Sequence, residues 1–157
     1  MMTPRPSQIA FGDSVKSARA EQEPKTVLGV AADLPRILVL DDEPAVRALF
    51  DQFLAEDGYQ VTAMGNYREA WAAAKETMYE VIVVDLSLLD IDGIEAIRNF
   101  RSAFPRMKIL AVSGYMTGCV PSLALRAGAT STLGKPATSW QLREAVYRLL
   151  NPTAAWT

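Results

Sequence analysis

The chain has 157 residues, half of them apolar, and a formal net charge of −2; this suits one domain with a hydrophobic core and no direct binding of nucleic acid. It contains no histidine, which excludes Ser-His-Asp and Cys-His catalysis, histidine-ligated zinc and a phosphohistidine carried by this chain. The one cysteine, Cys119, is expected to be a small buried hydrophobe. There is no signal-peptide core and no run of 18 apolar residues, so we expect a cytoplasmic protein without membrane insertion.

The composition predicts three regions. Residues 1–34 contain scattered proline, serine, glutamine and charges without sustained periodicity, and we expect a flexible N-terminal extension. A short docking helix over Ser14 to Glu23 is the alternative for this part. Residues 35–151 alternate short apolar runs with helical periods, which is typical of βα units around a parallel sheet. Residues 152–157 form a short tail.

The first βα unit is a strand at Arg36 to Leu40 and a helix that begins at Glu43-Pro44 and stops at Asp57-Gly58. Five apolar residues at helical spacing are expected to face the sheet: Val46, Leu49, Phe50, Phe53 and Leu54.

The second strand is predicted at Tyr59 to Met64. Asn66 with Glu69 three residues later indicates a capping box, and the helix that follows carries Trp71. The third strand, Val81 to Asp85, is a continuous β-branched run and is therefore expected at the centre of the sheet, buried on both faces.

The remaining elements follow the same alternation. In chain order they are a helix from Asp92-Gly93 to Pro105 that places Ile94, Ile97 and Phe100 together, a strand at Lys108 to Val112, a short helix reaching Gly128, a strand at Thr130 to Leu133 and a helix at Ser139 to Leu150. That makes five predicted βα units.

Polar side chains follow four of these strands. Asp41 and Asp42 follow the first, Asp85 ends the third, Ser113 follows the fourth and Lys135 follows the fifth. The carboxyl ends of parallel strands meet at one edge of the sheet, where open α/β sheets bind ligands. Two carboxylates ~4 Å apart repel by about 4 kcal/mol at an effective dielectric near 20. Three assembled acids therefore predict a hard divalent cation.

The sequence around these residues resembles the receiver domain of two-component response regulators. The matching segments lie in order over about residues 36–150. They are LVLDDEP at Asp41 and Asp42, VVDLSLLDIDG at Asp85, VSG at Ser113, AGA at Ala127 to Ala129 and GKP at Lys135. The resemblance implies a flavodoxin-like α/β fold, a doubly wound five-stranded parallel sheet of strand order 2-1-3-4-5. It also implies a phosphoryl group received from a sensor histidine kinase or a histidine phosphotransfer protein.

The resemblance implies a role for each acid. Asp85 would be the phosphoacceptor. Asp42 and Asp85 would bind Mg²⁺ directly, with Mn²⁺ as a possible substitute, the Ser87 backbone carbonyl would be the third protein ligand, and Asp41 would act through water.

Two further groups would act directly on the phosphoryl oxygens. Lys135 would pair with one of them and, before phosphorylation, with Asp85, its direction set by a cis Lys135-Pro136 peptide. Ser113 would give its hydroxyl to another oxygen and draw the loop after the fourth strand inward.

The predicted output surface departs from the family pattern. Thr132 stands where a switch aromatic is usual, so Ser113 would have to signal through the loop from Gly114 to Pro121 together with the fifth helix. This loop includes Tyr115 and Met116 and belongs to the uncharged stretch 114–125. The downstream protein target is expected on the face of the fourth helix, fifth strand and fifth helix. A phosphorylation-linked homodimer is possible on the same grounds.

Only seven residues follow Leu150, so no output domain is expected and the chain is interpreted as a stand-alone, non-enzymatic receiver. Two alternatives stay open. One is a receiver that works as an unphosphorylated scaffold, as Thr132 suggests. The other is a phosphohydrolase of the haloacid dehalogenase type, which needs Asp-x-Asp on its first strand, whereas Asp41 and Asp42 are adjacent.

Overall fold

The computed structural model describes residues 33–154. Most of the predicted extension 1–34, the alternative helix at Ser14 to Glu23 and the last three residues of the predicted tail lie outside the described residues. The described strands are β1 (Arg36–Leu40), β2 (Gln60–Met64), β3 (Val81–Asp85), β4 (Lys108–Ser113) and β5 (Ser131–Gly134). The described helices are α1 (Pro44–Glu56), α2 (Tyr67–Glu76), α3 (Gly93–Ala103), α4 (Val120–Ala127) and α5 (Ser139–Leu150).

The strands form one parallel sheet in the order β2-β1-β3-β4-β5. Alternate side chains of each strand point to opposite faces, so the sheet has two apolar sides. Phe50 and Leu54 of α1 and Leu142 of α5 cover one side. Ile97 and Phe100 of α3 cover the other, together with α2 and α4. The predicted doubly wound α/β fold and its strand order are confirmed.

Local sequence signals set several helix ends. The side chain of Asn66 accepts from the Glu69 amide at the start of α2, and that of Asp92 accepts from the Glu95 amide at the start of α3. Thr138 and Gln141 form a reciprocal capping box at α5. Strand bounds differ from prediction by one residue at the start of β2, at the end of β4 and at both ends of β5.

Two burial predictions were wrong. Leu49 of α1 is 48% exposed, because it lies at the edge of the apolar stripe, beside a groove, while Phe50 and Leu54 make the contact with the sheet. Cys119 is exposed, because it is the N-cap residue of α4 and precedes the first fully buried residue of that helix, Ala124.

None of the helices within residues 33–154 is long and apolar enough to cross a membrane.

Candidate functional site

The register of the central strands brings the acids together. Leu40 of β1 pairs with Val84 of β3, so the residues that follow them, Asp41 and Asp85, leave neighbouring strands side by side. Both carboxylates are buried, each only 2% exposed, and Asp42 is half-buried. One carboxylate oxygen from each of the three lies within 4.8 Å of the others. The predicted meeting of the acids at one sheet edge is thus seen in the structure.

Asp41 is held at every polar atom. Its amide donates to the Met64 carbonyl at 3.2 Å, and its Oδ1 accepts from the Glu43 amide at 2.9 Å. Its Oδ2 accepts from Lys135 Nζ at 2.6 Å. Its carbonyl accepts from Arg47 Nη1 at 2.7 Å. Asp41 therefore has a fixed direction before any ligand arrives.

Asp85 is less completely satisfied. Its Oδ1 accepts from the Ser87 amide at 3.1 Å, whereas its buried Oδ2 has no aligned hydrogen-bond partner among the described residues. Lys135 Nζ lies 3.4 Å from Oδ2, close enough for an ion pair. Burial raises the pKa of Asp85 above its ordinary value; the neighbouring Asp41 charge adds to this, and the Ser87 amide and Lys135 oppose it.

Lys135 reaches the acids from β5. Its backbone amide donates to the Ser113 carbonyl at 2.9 Å, and its peptide bond to Pro136 is cis, as the resemblance implied. Burial works to lower the pKa of Lys135, but the hydrogen bond to Asp41 and the charges of Asp41 and Asp85 outweigh it, so the pKa is raised. The ammonium thus stays charged, and its shorter contact is to Asp41, not Asp85.

The donor set fits a hard divalent cation. Asp41, Asp42 and Asp85 offer three carboxylates, and magnesium prefers oxygen ligands. The single lysine ammonium does not balance three acids, and Asp85 Oδ2 is a buried oxygen left without a hydrogen bond. Ser87 lies next to this cluster, but its contact with Asp85 is made through its amide, and its carbonyl as a ligand stays a prediction.

The predicted switch residues lie at the end of β4, in the loop that follows it and in β5. Ser113 is buried at the end of β4, and its Oγ accepts from the Tyr115 amide at 3.1 Å. Tyr115 is 78% exposed, whereas Met116 is half-buried against the α2, α3 and α4 side of the core. Thr132 is half-buried and pairs with Ala111 in the sheet.

A groove of about 510 Å³ opens beside the acids. Its lining includes Asp85 and Lys135, Val46 and Leu49 of α1, and Tyr115. The groove therefore lies between α1 and the loops after β4 and β5 and includes Asp85.

Arg47 is a neighbour of the site that the sequence analysis missed. It lies in α1, six residues after Asp41, and it contacts the acid pair only through a backbone carbonyl. A basic residue in the first turn of a helix that follows two acids was the available signal. Helical periodicity alone places such a residue in solvent.

Comparison with known proteins agrees with this geometry. A family model described as the response regulator receiver domain matches residues 37–147. The transcriptional activator protein ExaE of Pseudomonas putida is 33% identical over 116 residues, 73% of this chain and 54% of that protein. The alginate biosynthesis transcriptional regulatory protein AlgB of Pseudomonas aeruginosa is 30% identical over 115 residues, 73% of this chain but 26% of AlgB. The chain thus spans between about a quarter and half of these two relatives.

Smaller relatives are matched over nearly their whole length. The chemotaxis protein CheY of Thermotoga maritima is 27% identical over 115 residues, 73% of this chain and 96% of CheY. Among solved structures, a CheY-like receiver domain protein from Methanospirillum hungatei has a TM-score of 0.72 at 28% identity, covering 76% of this chain and 95% of that one. From the matched family model and the acids gathered at the carboxyl edge of the sheet, we conclude that this chain belongs to the response regulator receiver domain family of two-component signalling.

Proposed function

We propose that Asp85 accepts a phosphoryl group from a phosphohistidine of a sensor histidine kinase or a histidine phosphotransfer protein. The observation that carries the proposal is the state of Asp85 Oδ2, which is buried, lacks a hydrogen-bond partner among the described residues and lies 3.4 Å from Lys135 Nζ, in a residue that lines an open groove. No other described carboxylate combines these properties with two acidic neighbours. The protein then acts as a phosphorylation-controlled interaction module and not as an enzyme on a separate substrate.

The transfer follows from the positions of the side chains. Asp85 Oδ2 forms the new P–O bond while the P–N bond of the phosphohistidine breaks, and the departing imidazole nitrogen keeps the electron pair and takes a proton from solvent. Lys135 would move from Asp41 toward a phosphoryl oxygen, and the Ser113 hydroxyl would donate to another. Charges held in position before the transfer stabilise the spread of negative charge in its transition state.

The resident cation would be held by Asp42 and Asp85 directly, by the Ser87 carbonyl, and by Asp41 through water. Mg²⁺, or Mn²⁺ in its place, would offset the repulsion between these carboxylates and the incoming phosphate. The fixed direction of Asp41 and the half-exposure of Asp42 suit these different roles.

Two surfaces are proposed for partners. The groove between α1 and Tyr115 is proposed to receive the phosphohistidine of the donor protein, because it leads to Asp85. The face formed by α4, β5 and α5 is proposed for the downstream target or a second copy of the chain. It includes Trp140, which is 65% exposed, and Leu125 of α4, which is 48% exposed.

A second function is favoured by one feature: Thr132 supplies no ring to follow Ser113, so the receiver could act as an unphosphorylated scaffold. A pull-down that compares phosphorylated wild type with Asp85→Asn distinguishes the two functions. A scaffold captures the same partners in both states. The haloacid dehalogenase alternative has no such support, because the family model matched is that of receivers.

The direct test of phosphorylation is the intact mass after incubation with a small phosphodonor and Mg²⁺. Wild type is expected to gain one phosphate and Asp85→Asn none. Asp90→Asn is the matched control, because Asp90 is exposed in the same β3–α3 loop and accepts from the Tyr67 amide. Labelling of Asp85→Asn at the wild-type level would refute the assignment.

A further inference from the structure

Arg47 provides a hydrogen bond where the backbone pairing between β1 and β2 ends. The described pairing of these strands runs from Arg36 with Gln60 to Leu40 with Met64, and the Asp41 amide still donates to the Met64 carbonyl. The next acceptor, the Asp41 carbonyl, accepts instead from Arg47 Nη1 at 2.7 Å. A hydrogen bond from a guanidinium is stronger than one from a neutral amide.

This hydrogen bond is made to the peptide group that joins Asp41 to Asp42. Because a peptide group is planar, the direction of the Asp41 carbonyl fixes the orientation of the Asp42 amide and so the direction of the chain at Asp42. The turn from Asp41 to Glu43 is closed by a hydrogen bond of 2.9 Å that the Glu43 amide donates to Asp41 Oδ1. Within residues 33–154, no hydrogen bond is made to the Asp42 carboxylate, so the neighbouring backbone sets the direction in which its Cα–Cβ bond leaves the chain.

Gly65 provides the space for the guanidinium. A Cβ added at Gly65 would lie 3.0 Å from Arg47 Nη1 and 3.3 Å from Cζ. Glycine at this position therefore leaves room for the guanidinium beside the β2–α2 connection while it reaches the Asp41 carbonyl. A Cβ here would require the guanidinium to shift by a few tenths of an ångström, and we expect the shift to weaken its hydrogen bond to that carbonyl.

We infer that Arg47, with Gly65 as its platform, is a positioning residue that orients the Asp41–Asp42 peptide and so presents the Asp42 carboxylate to the divalent cation. It acts through the backbone and touches neither the cation nor the phosphoryl group. The inference deepens the proposed function and rests on it for its link to phosphorylation.

The experiment uses the full chain, four variants at these two positions and one control variant. Arg47→Met removes the charge and the donors at similar length, and Arg47→Lys keeps the charge but loses the planar fork. Gly65→Ala keeps Arg47 and crowds it, and the double variant Gly65→Ala with Arg47→Met removes the crowding. Arg143→Met is the matched control, because Arg143 also donates to a backbone carbonyl, that of Phe53, at 3.1 Å, and its ion pairs are with Glu56 and Asp57 instead of the acids of the site.

Two quantities are measured besides the rate of phosphorylation by a small phosphodonor. One is the Mg²⁺ dissociation constant by calorimetry. The other is the ¹⁵N-amide signal and hydrogen-exchange protection of Glu43 without metal, which report the turn itself. We expect Mg²⁺ affinity to fall about fivefold in Arg47→Met and Arg47→Lys and about twofold in Gly65→Ala, with matching loss of Glu43 protection.

The coupling between the two positions is decisive. Gly65→Ala is expected to have no further effect in the Arg47→Met background, because the group it displaces is gone. Arg143→Met should lower the melting temperature without changing Mg²⁺ affinity. The inference is overturned if Arg47→Lys behaves as wild type, if Arg47→Met tightens Mg²⁺ binding as removal of a charge alone would, or if Gly65→Ala acts equally in both backgrounds.

Failure of the proposed function looks different. Wild type that protects the Glu43 amide in an Arg47-dependent manner but gains no phosphate supports the positioning role and contradicts phosphate acceptance by Asp85. If wild type is phosphorylated but the protection of the Glu43 amide does not depend on Arg47, the result supports phosphate acceptance by Asp85 and contradicts the positioning role of Arg47.

Discussion

Asp41 and Asp85 are both buried acids, yet their surroundings differ. Asp41 is fully hydrogen-bonded by Glu43, Lys135 and its backbone partners, whereas Asp85 keeps one oxygen without an aligned donor. Burial without full compensation raises the pKa of a carboxyl group. The absence of a hydrogen bond at Asp85 Oδ2 makes the ionised carboxylate less stable, and it also leaves this oxygen available for the proposed bond to a phosphoryl group.

The raised pKa of Asp85 predicts a pH-dependent stability in the absence of metal. The folded state binds its proton more tightly than the unfolded state, so ionisation costs the fold stability as pH rises from the ordinary carboxyl pKa through the raised one. Asp85→Asn should therefore be more stable than wild type at pH 7, and the gain should vanish at pH well below the ordinary carboxyl pKa. Urea unfolding from pH 3 to pH 8 in chelator measures it. A gain that is largest in acid would contradict the prediction.

Asp42 is expected to bind the cation and, without metal, to lower the stability of the fold. Asp42→Ala should weaken Mg²⁺ binding at least about tenfold and prevent Mg²⁺-dependent phosphorylation. It should also raise the melting temperature in chelator by about 5 °C, because one repulsive carboxylate is gone. Asp51→Ala, an exposed acid of α1, is the control and should change neither quantity. Unchanged metal affinity in Asp42→Ala would remove the proposed ligand set.

At the scale of elements, the segment between β4 and α4 connects the site to the surface. Ser113 is buried one residue beyond Val112, the strand partner of Asp85, and its Oγ accepts a hydrogen bond from the amide of the exposed Tyr115. If Ser113 moves to a phosphoryl group, that hydrogen bond is lost and the loop has to rearrange. Thr132 is too small to follow the movement as an aromatic ring would.

Phosphorylation is therefore expected to change amide exchange most in residues 113–121. Ser113→Ala should abolish that change and still allow some phosphorylation of Asp85, because the nucleophile and Lys135 remain. Ser122→Ala, an exposed serine in α4, should behave as wild type. A change confined to α1 would mean that the output surface has been misplaced.

At the scale of the whole molecule, two apolar layers hold the site edge in place. Val39 and Val83 belong to one layer, and Leu40 and Val84, the residues directly before the acids, belong to the other. Both sides of the central strands are thus covered by helices. The acids follow strands that cannot shift in register without exposing apolar residues.

The described layers consist of residues between Ile37 and Leu150. Removal of residues 1–32 is thus expected to leave the melting temperature within about 2 °C and the phosphorylation rate within about twofold. Calorimetry and intact mass on the shortened and full chains test this. A shortened chain that fails to fold would show that the predicted extension belongs to the domain.

Much of this molecule could be predicted from the sequence because the signals are local. The β-branched run at Val81 to Asp85 indicated a central strand, Asn66 and Asp92 indicated helix starts, and the acids that follow two strands indicated one shared edge. Each of these depends on a residue's own chemistry and its near neighbours in the chain, which the sequence displays directly.

Other features depended on the tertiary structure, because they join residues far apart in the chain. Lys135 Nζ lies 2.6 Å from Asp41 and 3.4 Å from Asp85, although β5 stands nearer to β3 than to β1 in the sheet, and strand order alone would not predict this. Cys119 and Leu49 are exposed because neighbouring elements, and not their own hydrophobicity, decide what is covered. The contact of Arg47 with the Asp41 carbonyl arises only when α1 folds back over the end of β1 beside Gly65, a distance that no spacing in the sequence encodes.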